Sequence, residues 1–127
     1  MKTLSNLLMV SLISGSALFA ADTTTEVAPT TTKTEVVKIA VDEIKAAEGK
    51  TLFASCVGCH GANAEKKALG KSQVIAGWDI ETTTKALNGY KDGSYGGAMK
   101  GVMKGQAMRL DDKKIEAIAH YVASLGK

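Results

Sequence analysis

The chemically active residues of this chain are gathered in one pentapeptide, Cys56-Val57-Gly58-Cys59-His60. Two thiols separated by two residues can add across the two vinyl groups of a porphyrin, because that step lets both sulfurs reach one edge of the ring. The imidazole that follows can then swing beneath the iron as its proximal ligand. Gly58 leaves little bulk between the two thioethers. The chemistry implied is covalent attachment of one haem c through Cys56 and Cys59, with His60 on the metal.

Other uses of these residues compete less well. A redox disulfide would need Cys56 and Cys59 but not His60, and no strand precedes them as a thioredoxin-like unit requires. A zinc site could recruit Cys56, Cys59, His60 and the distant His120, but adjacent cysteine and histidine ligands fit a tetrahedron badly. Chance would put a histidine after the second cysteine in roughly one case in forty, from its ordinary frequency. With only 2 cysteines in the chain, a disulfide framework is excluded.

A six-coordinate low-spin iron needs a second axial ligand. Met99, Met103 and Met108 all lie downstream in a glycine-rich region. A thioether there would stabilise the ferrous state and raise the potential relative to two histidines. His120 is the rival, but it stands beside Tyr121, outside the apolar stripe of the last helix, and is expected in solvent. Any one of the three methionines could instead be core filler. The residues alone leave that choice open.

These groups need elements to position them, and the patterns predict an all-α fold. A helix is expected to start near Val41, capped by Asp42 with Glu43 at the positive end of its dipole, and to run to about Cys56. Ile44, Ala47, Leu52 and Ser55 fall near helical spacing along it, beside Phe53. Residues 61–78 contain Gly61, Gly70 and Gly77 without a sustained period, and read as loop with at most one short turn. Asp79 should cap a helix from Ile80 to Asn88, closed by Gly89. Lys91-Asp92-Gly93-Ser94 reads as a turn, and a short helix from Ala98 to Lys104 is expected before Gly105. Asp111 should cap the last helix, with Leu110 and Ile115 placed for a hydrophobic staple. There Ile115, Ile118, Ala119, Val122 and Leu125 form one apolar stripe, ended by Gly126. No alternating strand pattern and no internal repeat is visible.

The rest of the chain bounds the setting. Residues 1–20 combine Lys2, an apolar stretch from Leu7 to Phe19 and a small residue at Ala20, the pattern of a signal peptide for export to the periplasm. A retained anchor is the alternative, weakened by Ser5, Asn6, Ser11, Ser14, Gly15 and Ser16. Residues 21–40 hold 7 threonines and the only proline, Pro29, and read as a flexible linker unable to offset its ordering entropy by burial. Residues 41–127 remain for a domain in which Phe53, Trp78, Tyr90, Tyr95 and Tyr121 are the only aromatics. That is a poor core for a domain of this size, which buries only about 60% of its unfolded surface. A large flat cofactor would complete it. With 16 basic and 13 acidic side chains spread along 127 residues, nothing resembles a nucleic-acid footprint.

Residues 46–127 resemble the small bacterial monohaem class I cytochromes c. The resemblance rests on Cys56-Val57-Gly58-Cys59-His60-Gly61, on Gly89-Tyr90-Lys91-Asp92-Gly93-Ser94-Tyr95-Gly96-Gly97, and on Ile118-Ala119-His120-Tyr121-Val122-Ala123-Ser124-Leu125. It implies three to five helices wrapped around the haem, with one ring edge exposed. In that pattern the ligand methionine comes six residues after the second glycine of Tyr-Gly-Gly, which selects Met103 and leaves Met99 and Met108 as packing residues. Gly49, Phe53 and Tyr121 match the family's crossing of first and last helices. Many members carry a proline after the haem motif whose carbonyl accepts the proximal histidine's Nδ1–H. Val74 stands in that place here, and a backbone carbonyl could still serve.

The resemblance implies a monomeric electron shuttle, not an enzyme, whose axial positions are both filled by His60 and Met103. Redox protein partners would dock at the exposed haem edge, and a membrane would be involved only if the signal segment were retained. Lys66, Lys67, Lys71, Lys100 and Lys104 flank the haem-binding segments and either steer acidic partners or form ordinary solvated surface. The competing functions are a haem enzyme or ligand sensor with an open axial site, and a tethered haem subunit of a larger oxidoreductase.

Overall fold

From residue 33 to residue 53 the chain is rich in lysine, glutamate, alanine and valine, with one glycine and no proline. Such a composition favours helix. The computed structural model, which describes residues 33–126, shows one helix there, α1 (Lys33–Phe53). The expected leader over residues 1–20 and most of the expected linker over 21–40 lie outside the described residues.

Helix α1 starts well before the expected start near Val41, so the end of the expected linker is helical. Asp42 lies inside this helix and does not cap it. It sits one turn from Lys38, at 3.5 Å, and its Oδ1 faces Nδ1 of His120 at 3.4 Å. Lys45 pairs with Glu116 on the same side. The contacts of Asp42 and Lys45 tie the middle of α1 to the last helix. They also decide which face is covered. Gly49 and Phe53 are buried, whereas Ile44 is 68% exposed and Ala47 is exposed too, contrary to the expected stripe.

The chain then turns through α2 (Val57–His60) and a loop containing a 3-10 turn at Ala68–Gly70. The loop is tied down by its backbone. Ile75 and Ala76 both donate to the carbonyl of Ala64, at 3.3 and 3.2 Å, and Gly77 donates to that of Val122 at 3.0 Å.

Helix α3 (Ile80–Asp92) is capped by Asp79, whose side chain accepts from the Thr82 amide at 2.7 Å. It continues past Gly89, because that glycine is a packing site and not a stop. A Cβ there would lie 2.6 Å from Cβ of Tyr95. Gly93, with φ of 86°, ends the helix in the left-handed region that disfavours side chains. Helix α4 (Lys100–Ala107) runs through Gly105, further than expected.

Helix α5 (Asp112–Ser124) is capped by Asp111, which accepts from the Lys114 amide at 2.9 Å. It packs against both α1 and α3, so its buried surface is wider than one stripe. Ile115 and every residue from Ala117 to Val122 are buried. His120 is among them at 9% exposure, which corrects its expected place in solvent. The cause is the packing of α5 against α1, which presents Asp42 to the His120 ring.

The core joins Phe53, Ala64, Ile118, Tyr121 and Val122. Phe53 and Tyr121 meet with ring centroids 5.3 Å apart and planes tilted by 56°. The Tyr121 hydroxyl donates to the Ala62 carbonyl at 3.2 Å, which links this core to the loop after α2. Among the described residues there are five α-helices and no strand, as the all-α reading expected.

Candidate functional site

The attachment motif is wound into a tight turn by its own backbone. The Cys56 amide donates to Phe53 O at 2.7 Å, and the His60 amide donates to Cys56 O at 3.0 Å. One side of that turn therefore presents Cys56, Cys59 and His60 to a common space. Cys56 is half-buried, Cys59 is exposed, and both are free thiols. His60 is buried at 6% exposure. Gly61 follows with φ of 85° and leads the chain away.

The space they face is a cavity of about 590 Å³, lined by all three motif residues and also by Leu69, Met99 and Met103. That volume lies within the range of cofactor pockets. A second recess of about 110 Å³ shares Cys56, His60 and Met103 and reaches the core residues Phe53, Ile118 and Val122.

The residues present fit a covalently held haem. Both ring nitrogens of His60 are buried without a hydrogen-bond partner, a costly condition that a metal bond would relieve for one of them. Burial also lowers the His60 pKa below the ordinary imidazole value, which favours the neutral form that ligates metals. Desolvation raises the Cys56 thiol, partly opposed by its contact with the Ser55 hydroxyl. Among the described residues no group of three or more His, Cys, Asp or Glu is gathered as a metal site, and His120 faces Asp42 instead.

The three methionines are placed differently. Met103 lies between exposed and buried and lines both the large cavity and the recess. Met99 lines only the large cavity and is 52% exposed. Met108 lines neither and is 60% exposed, so it packs little. Lys66, Lys67, Lys71, Lys100 and Lys104 are all exposed, and Lys71 and Lys100 line the large cavity.

Val74 does not take the role suggested for it. His60 Nδ1 receives no partner from the loop, and Val74 is 39% exposed. The two bonds to Ala64 O draw Ile75 and Ala76 inward and leave Val74 outside.

Thr83 was not singled out by the sequence. It is 5% exposed, lines the recess, and its hydroxyl has no partner. Its only signal was helical spacing, since Thr83, Ala86 and Leu87 share the inner face of α3.

The family model Cytochrome c matches residues 46–126. The chain is 42% identical over 85 residues to cytochrome c-553 of Nitratidesulfovibrio vulgaris (strain DSM 19637 / Miyazaki F), covering 67% of this chain and 83% of that protein. A cytochrome c-553 of Helicobacter pylori (strain ATCC 700392 / 26695) is 37% identical over 82 residues, 65% of this chain and 82% of that one. Cytochrome c-554(547) of Halothiobacillus neapolitanus is 33% identical over 89 residues, 63% of this chain and 96% of that one. The matched span contains the attachment turn, the cavity and all three methionines, and on these grounds the chain belongs to the cytochrome c family, as an electron-transfer protein with one covalently bound haem c.

Proposed function

We propose that the protein carries single electrons in the periplasm with His60 and Met103 as its two axial ligands, and that it is not an enzyme. The observation that carries this reading is the shared lining of one recess by Cys56, His60 and Met103, while Met108 stays outside. The bound haem supplies a one-electron ferrous/ferric couple. The residues of the chain do the rest. Cys56 and Cys59 would hold the haem covalently, His60 and Met103 would bind its iron, and Phe53, Ile118 and Val122 would keep water from the inner side. With His60 and Met103 both on the iron, no place would remain for oxygen or peroxide.

Redox partners are expected at the mouth of the large cavity, where Leu69, Met99 and Val102 are 58%, 52% and 46% exposed beside Lys71 and Lys100. Apolar contact there suits a brief encounter, and the lysines favour acidic partners. Periplasmic placement is supported by the leader pattern over residues 1–20, and no helix among the described residues is long and apolar enough to cross a membrane.

A visible and near-infrared spectrum of the holoprotein in both oxidation states tests this reading. Six-coordinate low-spin haem with a sulfur-to-iron charge-transfer band is expected. A high-spin five-coordinate spectrum would establish the open-site enzyme or sensor instead.

A further inference from the structure

Thr83 is the one residue besides His60, among the described residues, with a buried side-chain polar atom that lacks a hydrogen-bond partner. An unsatisfied hydroxyl in an apolar interior is costly, and a mid-helix threonine ordinarily relieves it by bonding to a carbonyl one turn earlier. Here Asp79 O accepts the Thr83 amide at 3.0 Å but nothing from its hydroxyl. The neighbouring Thr82 does satisfy its hydroxyl, donating to Asp79 Oδ2 at 2.7 Å. Thr83 instead lines the recess of about 110 Å³ that holds His60 and Met103.

The lining of that recess decides what the hydroxyl can meet. Ser55 is exposed, with its Oγ donating to Leu52 O at 3.1 Å, so it belongs to the rim of the recess and not to its interior. Gln106 and Arg109 line the recess but are exposed, so they form its polar rim. The carboxylates of a bound haem are best held at such a rim, because the walls formed by Phe53, Leu87, Ile118 and Val122 would desolvate them. The side-chain acceptors inside are those of Cys56, His60 and Met103; with haem attached, the Cys56 sulfur and the His60 ring would be committed to it, which leaves the Met103 sulfur. A thioether is a weak acceptor, but it is an acceptor.

We propose that Thr83 is a positioning residue whose hydroxyl donates a hydrogen bond to Met103 Sδ when haem is bound. The bond holds the thioether in one orientation and draws electron density from it. A sulfur so engaged donates less to ferric iron, so the bond favours the ferrous state and raises the potential. This rests on Met103 being the axial ligand.

The test uses holoprotein carrying Thr83→Val or Thr83→Ser, with Met103→Ala as control. Valine keeps the shape and removes the hydroxyl. It should retain low-spin haem while lowering the midpoint potential, shifting the sulfur-to-iron band, and letting imidazole displace the sixth ligand at a several-fold lower concentration. Serine should return all three toward the parent values. If Thr83→Val leaves potential and band unchanged while Met103→Ala abolishes the band, the hydroxyl does not serve the sulfur and the proposal is overturned with the ligand assignment intact. If Met103→Ala keeps the band, the ligand assignment has failed and the proposal falls with it. A change only in the pH dependence of the potential would assign the hydroxyl to a haem carboxylate and refute the sulfur bond. Should Thr83→Val not assemble, Thr83→Ala gives the same comparison with serine.

Discussion

The Cβ that Gly49 lacks would lie 1.9 Å from the carbonyl oxygen of Ala117, so α1 and α5 cross backbone to backbone at that point. Phe53 and Tyr121 fill the crossing one turn further along α1. The contact sets where α1 ends, and the attachment turn begins directly after it. Helix packing and cofactor position are therefore coupled through one residue without a side chain.

Gly49→Ala should force the helices apart, since the atom it meets is backbone and cannot swing away. Overpacking of this kind costs about 3 kcal/mol. Urea unfolding of the holoprotein measures it, and an unchanged midpoint would show that the crossing relaxes freely.

Met103→Ala should erase the sulfur-to-iron band, open the iron to carbon monoxide and lower the potential, as loss of a thioether destabilises the ferrous state. Met99→Ala and Met108→Ala should keep the band. Their exposures of 52% and 60% leave little packing to lose, so each should cost under about 1 kcal/mol. Loss of the band in either of these, with Met103→Ala unaffected, would move the ligand to that residue.

Cys56→Ser together with Cys59→Ser should yield chain without covalent haem and with little stable fold, because the cavity of about 590 Å³ would remain an open gap beside the core. Intact mass and helix content by circular dichroism decide it. A haem-free variant with native helix content would refute the dependence of the fold on its cofactor.

Asp79 and Asp111 make a pH prediction. The Thr82 amide, and secondarily its hydroxyl, holds the Asp79 carboxyl below its ordinary value. The Lys114 amide, followed by the Lys114 side chain, does the same for Asp111. A carboxyl with a depressed folded pKa contributes stability that is complete above its unfolded value of about 4 and is lost as pH falls through the lower folded value. Asp111→Asn keeps a good N-cap but cannot titrate. Its melting temperature should fall less between pH 5 and acid than the parent's, as scanning calorimetry would record. An identical acid slope would show that the cap does not contribute to it.

Deleting residues 2–20 should leave haem-free chain in the cytoplasm, as the leader pattern implies attachment after export. Cell fractionation with haem staining reads the result. Normal holoprotein in the cytoplasm would contradict periplasmic maturation.

The parts legible in the sequence were those whose physics is local in the chain. The thiols and imidazole of Cys56, Cys59 and His60 lie within five residues, so their chemistry can be read without knowing what surrounds them. The caps Asp79 and Asp111 act on amides three residues ahead. Gly49, Phe53 and Tyr121 were legible for a different reason, their match to a family pattern. Other features depended on elements far apart in sequence. His120 is buried because α5 packs against α1, which supplies Asp42. Ile44 is exposed because α5 covers the other face of α1. Gly89 sits mid-helix because Tyr95 folds back against it. The placing of Met103, and not Met108, against the recess depends on which side of α4 faces the core, and the unpartnered hydroxyl of Thr83 appears only once α3 closes that recess. Periodicity along a helix identifies an apolar face, but which neighbour covers it, and which polar atom is thereby left without water, is decided by the packing of the whole chain.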